Sequence, residues 1–434
     1  MKRFVAAVVA SALVSLAWAP AAFGGGAMLY EVASPDTGTA IAGRAALAAD
    51  ASTAFTNPAG MSRLGDGSHI LIGAEILLGV TEFDPGPQTH IPVVAQQGGA
   101  GGNAAGLLPA PGMFFVHSIT PDLHIGMSLT SYFGAALEYN DSWVGRYFGQ
   151  QISLLTFSGT PVVSYRVSDW LSIGGGPVIM YGQLKMRSAI NNAFFERDPN
   201  YPDGRLRFKG SGWGAGGNLG VLITPPIAGT RFGVSYLTPV DLNFSDSNIA
   251  SSLGPRLTTI LQASKLLDSK VKIGLTMPNM LLVSGYHELT KELAVMGNFG
   301  WQEWSQFGAV ELGINGDNPQ SLTANLQFSD TYHGALGAQY RLADTWLLSG
   351  GVAYDSAPLN SGTRSPVFPI DRQIRGAVGV QKAVSDVITL GFQYEYLDLG
   401  SASLSRSGPV RGTLVGDYST NQVNVVSVNL AARF

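Results

Sequence analysis

The end of the chain constrains the fold most. From Gln422 to Phe434, Val426, Val428, Leu430, Ala432 and Phe434 fall on one face of an extended strand, and Val425, Ser427, Asn429, Ala431 and Arg433 on the other. Successive strand side chains point to opposite faces, so this segment presents one apolar and one mostly polar surface. The pattern recurs upstream. Ile388, Leu390, Phe392, Tyr394 and Tyr396 alternate with Thr389, Gly391, Gln393 and Glu395, and Leu123, Ile125, Met127 and Leu129 alternate with His124, Gly126, Ser128 and Thr130.

Alternation is shared by membrane barrels and soluble β-sandwiches. Connection lengths separate the two. Short links fall at Thr120–Asp122, Ser168–Asp169, Pro225–Gly229, Glu288–Glu292, Ala343–Asp344 and Ser385–Asp386. Longer irregular segments lie near 83–111, 139–150, 188–208, 247–269, 314–326, 356–370 and 400–417. Short turns on one side and long loops on the other are the asymmetry of outer-membrane barrels, and this set of links predicts an all-β, 14-stranded antiparallel transmembrane barrel with both termini in the periplasm.

Composition agrees. Only 13% of residues are charged, about half the roughly 25% of soluble domains. A formal net charge of −4 argues against nucleic acid as a partner. The absence of cysteine excludes disulfides, thiol nucleophiles and cysteine-based metal sites. At the N-terminus, Lys2 and Arg3 precede an apolar run from Phe4 to Trp18, then Ala19-Pro20-Ala21 and Ala22-Phe23-Gly24. This reads as a secretory signal peptide over 1–24. No later run is long enough to span a bilayer as a helix, so a membrane-resident mature chain must cross as a closed barrel. A closed barrel is expected as a monomer in the outer membrane of a Gram-negative bacterium, among its lipids and lipopolysaccharide.

Residues 25–66 lack a strand pattern and read either as a plug inside the barrel of 67–434 or as a disordered periplasmic tail. In loop 249–268, Ile249, Leu253, Leu257, Ile260, Leu261, Leu266 and Leu267 approach helical spacing, with Ser251 and Ser252 as candidate caps. Such a helix exposes apolar surface unless it packs on another loop or a hydrophobic ligand. Trp143, Trp170, Trp346, Tyr340 and Phe434 lie near strand ends and are expected in interfacial girdles.

Enzymatic motifs are weak. Gly212 to Gly217 matches a dinucleotide pattern but lies within a strand, without the required strand–helix context. His287-Glu288 lacks the second histidine of a zinc-protease helix, because Lys291 stands there. No serine has nucleophile-elbow spacing. A spatial Ser/His dyad involving His117 or His124 stays open as a barrel-hydrolase reading. No catalytic residue, metal or cofactor is assigned.

Several segments occur in an order that resembles FadL-type outer-membrane transporters of long-chain fatty acids and aromatic hydrocarbons. They are Phe55-Thr56-Asn57-Pro58-Ala59, Leu129-Thr130-Ser131-Tyr132-Phe133-Gly134, Glu138-Tyr139-Asn140-Asp141, Gly210-Ser211-Gly212-Trp213-Gly214, Val283-Ser284-Gly285-Tyr286, Trp304-Ser305-Gln306-Phe307 and Tyr354-Asp355-Ser356-Ala357-Pro358. The resemblance runs from about Gly25 to Phe434. It implies an N-terminal hatch at 25–66, substrate capture by loops 188–208 and 249–268 with contacts from Leu257, Ile260 and Leu261, and lateral exit where the third strand kinks near Ser131–Ala136. Asn57, Pro58 and Ala59 would lie against that gap, Gly134 would mark the kink, and rearrangement near Gly25 to Tyr30 would open the passage. In fatty-acid members basic residues face the substrate carboxylate. The resemblance places Gln183 and Glu311 at those positions, with Lys185 on the face of Gln183 and Arg187, Arg205 or Arg207 as other compensating cations. A buried carboxylate without a cation is costly, which raises neutral hydrocarbons as an alternative substrate. Fatty acid is ranked first. Uptake is expected to be passive. A general porin, with a wide polar lumen, is a second alternative.

Overall fold

A computed structural model describes residues 28–247, 249–264, 267, 269–315 and 320–434. The expected signal peptide and residues 25–27 of the hatch lie outside them, as does Leu266. Fourteen strands follow in chain order: β1 (Ser68–Pro85), β2 (Gly112–Ser118), β3 (Leu123–Thr130 and Gly134–Glu138), β4 (Gln151–Ser168), β5 (Leu171–Ile190), β6 (Gly204–Ile223) and β7 (Thr230–Leu237 and Val240–Ser247). Then come β8 (Lys270–Met277 and Met280–Glu288), β9 (Leu293–Gln302 and Ala309–Asn315), β10 (Gln320–Asn325 and Thr331–Ala343), β11 (Trp346–Asp355), β12 (Gln373–Ala383), β13 (Ile388–Asp398) and β14 (Gly412–Arg433). Each pairs antiparallel with its neighbours. The ring closes where β1 pairs β14 from His69↔Arg433 to Pro85↔Gly416. Closure removes the free edges that hydrocarbon would not tolerate.

The alternation read from sequence maps onto the two sides of this wall. Leu390, Phe392, Tyr394, Tyr396, Val428 and Leu430 are exposed, while Gln393, Glu395, Val425, Ser427 and Asn429 are buried inside. Trp170, Trp346, Tyr340 and Phe434 are exposed near the short turns, as a girdle requires. Trp143 is not part of a girdle. It is fully buried in the 139–150 loop, stacked on Tyr139 at 3.7 Å between ring centroids, because this loop folds into the barrel mouth instead of lying at the lipid surface.

Strands β7 to β10 are each interrupted, and their outer halves form a separate four-stranded sheet. Pro239 and Pro278 lie in the β7 and β8 interruptions, where proline removes a ladder donor. The outer half of β7 lies against inward-facing glycines of β6: a Cβ on Gly214 would come within 2.7 Å of Val240 Cγ1, and one on Gly210 within 2.9 Å of Phe244 Cβ. The Gly210 to Gly217 run therefore serves close packing within a strand.

Candidate functional site

Residues 28–64 are nearly all buried, and side chains such as Glu31, Asn57 and Ser62 bond to wall strands. The segment is a chain of short turns and helices, Pro35–Thr39, Arg44–Leu47, Thr53–Thr56 and Pro58–Arg63. Asn57 Nδ2 donates to the carbonyls of Ala45 at 2.6 Å and Val221 at 3.0 Å, and Asn57 Oδ1 accepts from Ala59 N at 3.2 Å. Pro58 and Ala59 rest on Gly174, where a Cβ would lie 2.6 Å from Ala59 N; a Cβ on Gly220 would collide with the Asn57 carboxamide. Ser62 and Ser164 add bonds to Ser172 and Ala59. The Asn57-Pro58-Ala59 turn thus sits on β4, β5 and β6, not against the β3 break. The reason is steric: glycines on β5 and β6 make the recess it fills.

The β3 break itself is met by Phe55, whose ring lies 4.5 Å from that of Tyr132, and by the start of the segment. The strand is interrupted over Ser131–Phe133, and Gly134 is the first residue after the interruption. Thr156 of β4 bridges the irregularity, its Oγ1 accepting from Phe133 N at 3.1 Å and donating to Phe133 O at 2.7 Å. On the other side, Leu29 N donates to Tyr132 O at 2.8 Å, and Met28 bridges Phe133. A Cβ on Gly134 would lie 2.8 Å from Leu29 Cδ1 and 3.4 Å from Leu108 Cδ2. Leu29 therefore fills the break, a role that no periodicity in the sequence announces.

Between these two contacts runs a buried charge network. The Arg375 guanidinium bonds Glu31, reaches Asp355 at 3.1 Å, Gln373 at 3.0 Å and Glu395 at 3.6 Å, and lies 4.9 Å from the Tyr30 ring. His333 bonds Asp355 at 2.9 Å. Arg44 pairs with Asp36 at 2.5 Å and donates to Tyr30 O at 2.7 Å. Glu75 of β1 accepts from Ala33 N. Burial, reinforced by nearby Asp355, pushes the Tyr30 hydroxyl up and keeps it neutral. Sequence reasoning put Glu395 on a polar face but missed this network. The missed signal was charge on inward positions of membrane strands, which is costly there and marks functional sites.

At the outer mouth, loop 356–370 drops into the barrel. Tyr139 and Tyr418 both donate to Pro366 O, at 2.7 and 2.9 Å, and Asn421 donates to Pro369 O at 2.7 Å. Val367, Phe368 and Ile370 are fully buried, and Phe368 packs on Phe328 and Trp304. One continuous apolar cluster runs from these residues to Leu29, Phe133 and Leu108 at the β3 break.

Among the loops, the helix expected in 249–268 is present over Pro255–Ala263. Its N-cap is Gly254, with Pro255 at the first turn and the Glu196 carboxylate accepting from Arg256 N at 2.9 Å. Ser251 and Ser252 do not cap it, because Ser251 pairs with Arg205 in a short strand. Leu257 is buried; Ile260 and Leu261 are half-buried, near the helix Asn192–Glu196 that carries Phe194 and Phe195, themselves half-buried. Gln183 and Lys185 are not brought to the interior. They alternate with the buried Leu184 and Met186 and therefore lie on the outer face of β5. Arg187, Arg205 and Arg207 share that outward orientation on β5 and β6, and Glu311 is exposed on the outer face of β9. The sequence could not separate the faces of β5, whose apolar residues meet lipid outside and the core inside. Ser68 Oγ and His117 Nδ1 do lie 3.0 Å apart, but among the described residues no carboxylate bonds His117 to complete a triad.

The family model described as Outer membrane protein transport protein (OMPP1/FadL/TodX) matches residues 13–434. The chain belongs to this family. It is 27% identical to a long-chain fatty acid transport protein of Escherichia coli O6:H1 over 90% of each chain, and 27% identical to outer membrane protein P1 of Haemophilus influenzae over 92% of this chain and 90% of that one. Its fold matches that of a Pseudomonas aeruginosa FadL homologue with a TM-score of 0.83 at 20% identity, covering 94% of this chain and 99% of the other. The Ralstonia pickettii toluene transporter TbuX matches with a TM-score of 0.64 at 19% identity, covering 94% and 100%. This FadL-family barrel is an outer-membrane protein, and its family consists of transport channels for hydrophobic compounds.

Proposed function

We propose that the protein is a passive channel for long-chain fatty acids or similar hydrophobic compounds. The loop helix at 255–263 with Leu257, Ile260 and Leu261 captures the substrate beside Phe194 and Phe195. The substrate moves along the apolar interior, and displacement of Leu29 from the Gly134 break lets it leave sideways into the bilayer. The observation that carries this reading is the unbroken apolar cluster joining the mouth to the break. A polar solute would lose its hydration along such a path without replacement bonds, whereas an alkyl chain would not. The hatch region is residues 25–66, with Asn57, Pro58 and Ala59 as its fixed footing, so that the N-terminal end moves alone. Neutral hydrocarbons are the second reading. The inward face of β5 above the hatch is Val178, Met180, Leu184 and Met186, with no cation to meet a carboxylate.

The test is uptake of labelled oleate and of toluene by cells carrying the wild type or Gly134→Arg. The arginine would occupy the space of Leu29 and seal the break, so uptake should fall at least several-fold. Unchanged uptake of both compounds would remove the lateral route. Loss of oleate uptake alone, or of toluene uptake alone, would name the substrate class.

A further inference from the structure

The outward face of β5 and β6 carries a graded ladder. Reading outward along the register, Ile179 faces Ala215, Tyr181 faces Trp213, Gln183 faces Ser211, Lys185 faces Lys209, Arg187 faces Arg207, and Ala189 faces Arg205. Ile179 and Trp213 are strongly exposed, and the Tyr181 and Trp213 rings meet at 5.1 Å. An exposed aromatic pair above an aliphatic strip marks the lipid–water boundary of a barrel wall. The first cation pair lies four residues farther out, roughly 13 Å along the strands at about 3.3 Å per residue.

Like charges directly opposite each other on neighbouring strands repel, and here two successive rungs are doubly cationic. Arg187 is neutralised by Glu138 at 2.9 Å and Asp141 at 3.5 Å. Lys185, Arg205, Arg207 and Lys209 are in no ion pair among the described residues. The carboxylate of Asp246, beside Lys209, accepts instead from the backbone N–H groups of Lys209 and Ser247. Four cations without ion-pair partners among the described residues thus stand over a lipid-facing apolar strip, with Gln183 and Ser211 forming a polar shelf between and Ser153 of β4 beside Lys185 on the first cation rung. Lysine offers a compact charge to phosphate oxygens and arginine a bidentate fork.

We propose that this face binds a phosphorylated, multiply acylated glycolipid of the outer leaflet. Its phosphates sit on Lys185, Arg207, Lys209 and Arg205, its sugar hydroxyls on the Gln183–Ser211 shelf, and its acyl chains on Trp213, Ile179 and the exposed Leu155 and Phe157 of β4. The apolar strip below the polar shelf selects a lipid over free phosphate.

Native mass spectrometry of the full-length protein in detergent, with purified rough lipopolysaccharide, tests this. The wild type should retain one glycolipid, and Lys185→Gln/Arg207→Gln/Lys209→Gln should bind it at least ten-fold more weakly. Enzymatically dephosphorylated lipopolysaccharide should also bind at least ten-fold more weakly. Lys382→Gln, at the periplasmic end, should match the wild type. Equal binding by the triple variant, equal binding of the dephosphorylated lipid, or displacement of the lipid by millimolar inorganic phosphate would overturn the assignment. The single variant Arg207→Gln, read the same way, carries the test should the triple variant fail to fold.

Discussion

Arg375 has no water to replace a partner it loses. It is fully buried and serves Glu31, Asp355 and Glu395 together. Replacing it with Met would leave three carboxylates facing one another without their shared cation, and breaking a buried pair in this way costs about 3–5 kcal/mol. Urea unfolding of the folded barrel, followed by tryptophan fluorescence, should show that loss. An unchanged midpoint would mean that the network contributes nothing to holding the hatch. Glu395→Gln should behave differently. Neither Glu395 oxygen has a hydrogen-bond partner among the described residues, and Arg375 keeps Glu31 and Asp355, so the amide should cost less than about 1 kcal/mol or stabilise. At this scale the sequence was partly legible. Glu395 stood on a polar face next to Gln393, but its connection to Glu31 crosses almost the whole chain, and no local pattern encodes such a pair.

At the scale of elements, the strands were readable because each must satisfy lipid on one side, and the short turns because they join strand ends directly. Two features were hidden. The outer halves of β7 to β10 leave the main wall, and Pro239 and Pro278 were the available signal for it. The seat of the Asn57 turn was hidden too, because a glycine in a strand announces close approach without saying by what. That seat predicts its own failure. Gly220→Val would drive a branched side chain into the Asn57 carboxamide, and overpacking of this kind typically costs about 1–3 kcal/mol. Limited proteolysis should then cut within 45–62 while the β-strands stay protected. The double variant Gly220→Val/Asn57→Gly should regain part of the protection by removing the clashing group. Equal protection of wild type and Gly220→Val would show that the turn does not rest there.

On the scale of the whole molecule, the lumen is closed twice along its length. The segment 28–64 fills it toward the periplasm, and loop 356–370 closes the mouth by packing Phe368 against Trp304 and Phe328. Resistances in series add, so ion flow follows the tighter of the two closures. Deleting residues 28–64 alone should therefore leave the barrel nearly silent in planar bilayers. Replacing 357–369 with a short glycine–serine link should by itself also give little current, because the hatch stays bonded to the wall through Asn57, Ala33 and Glu31. Only the double variant should open in large, stepwise ionic currents, since the remaining inner face includes polar groups such as Gln393, Ser427 and Asn429 that water can wet. Single-channel recording distinguishes these cases. Large steps from the hatch deletion alone would mean that the aromatic closure at the mouth is not a seal, and that hydrophobic cargo and ions are kept apart by the hatch alone.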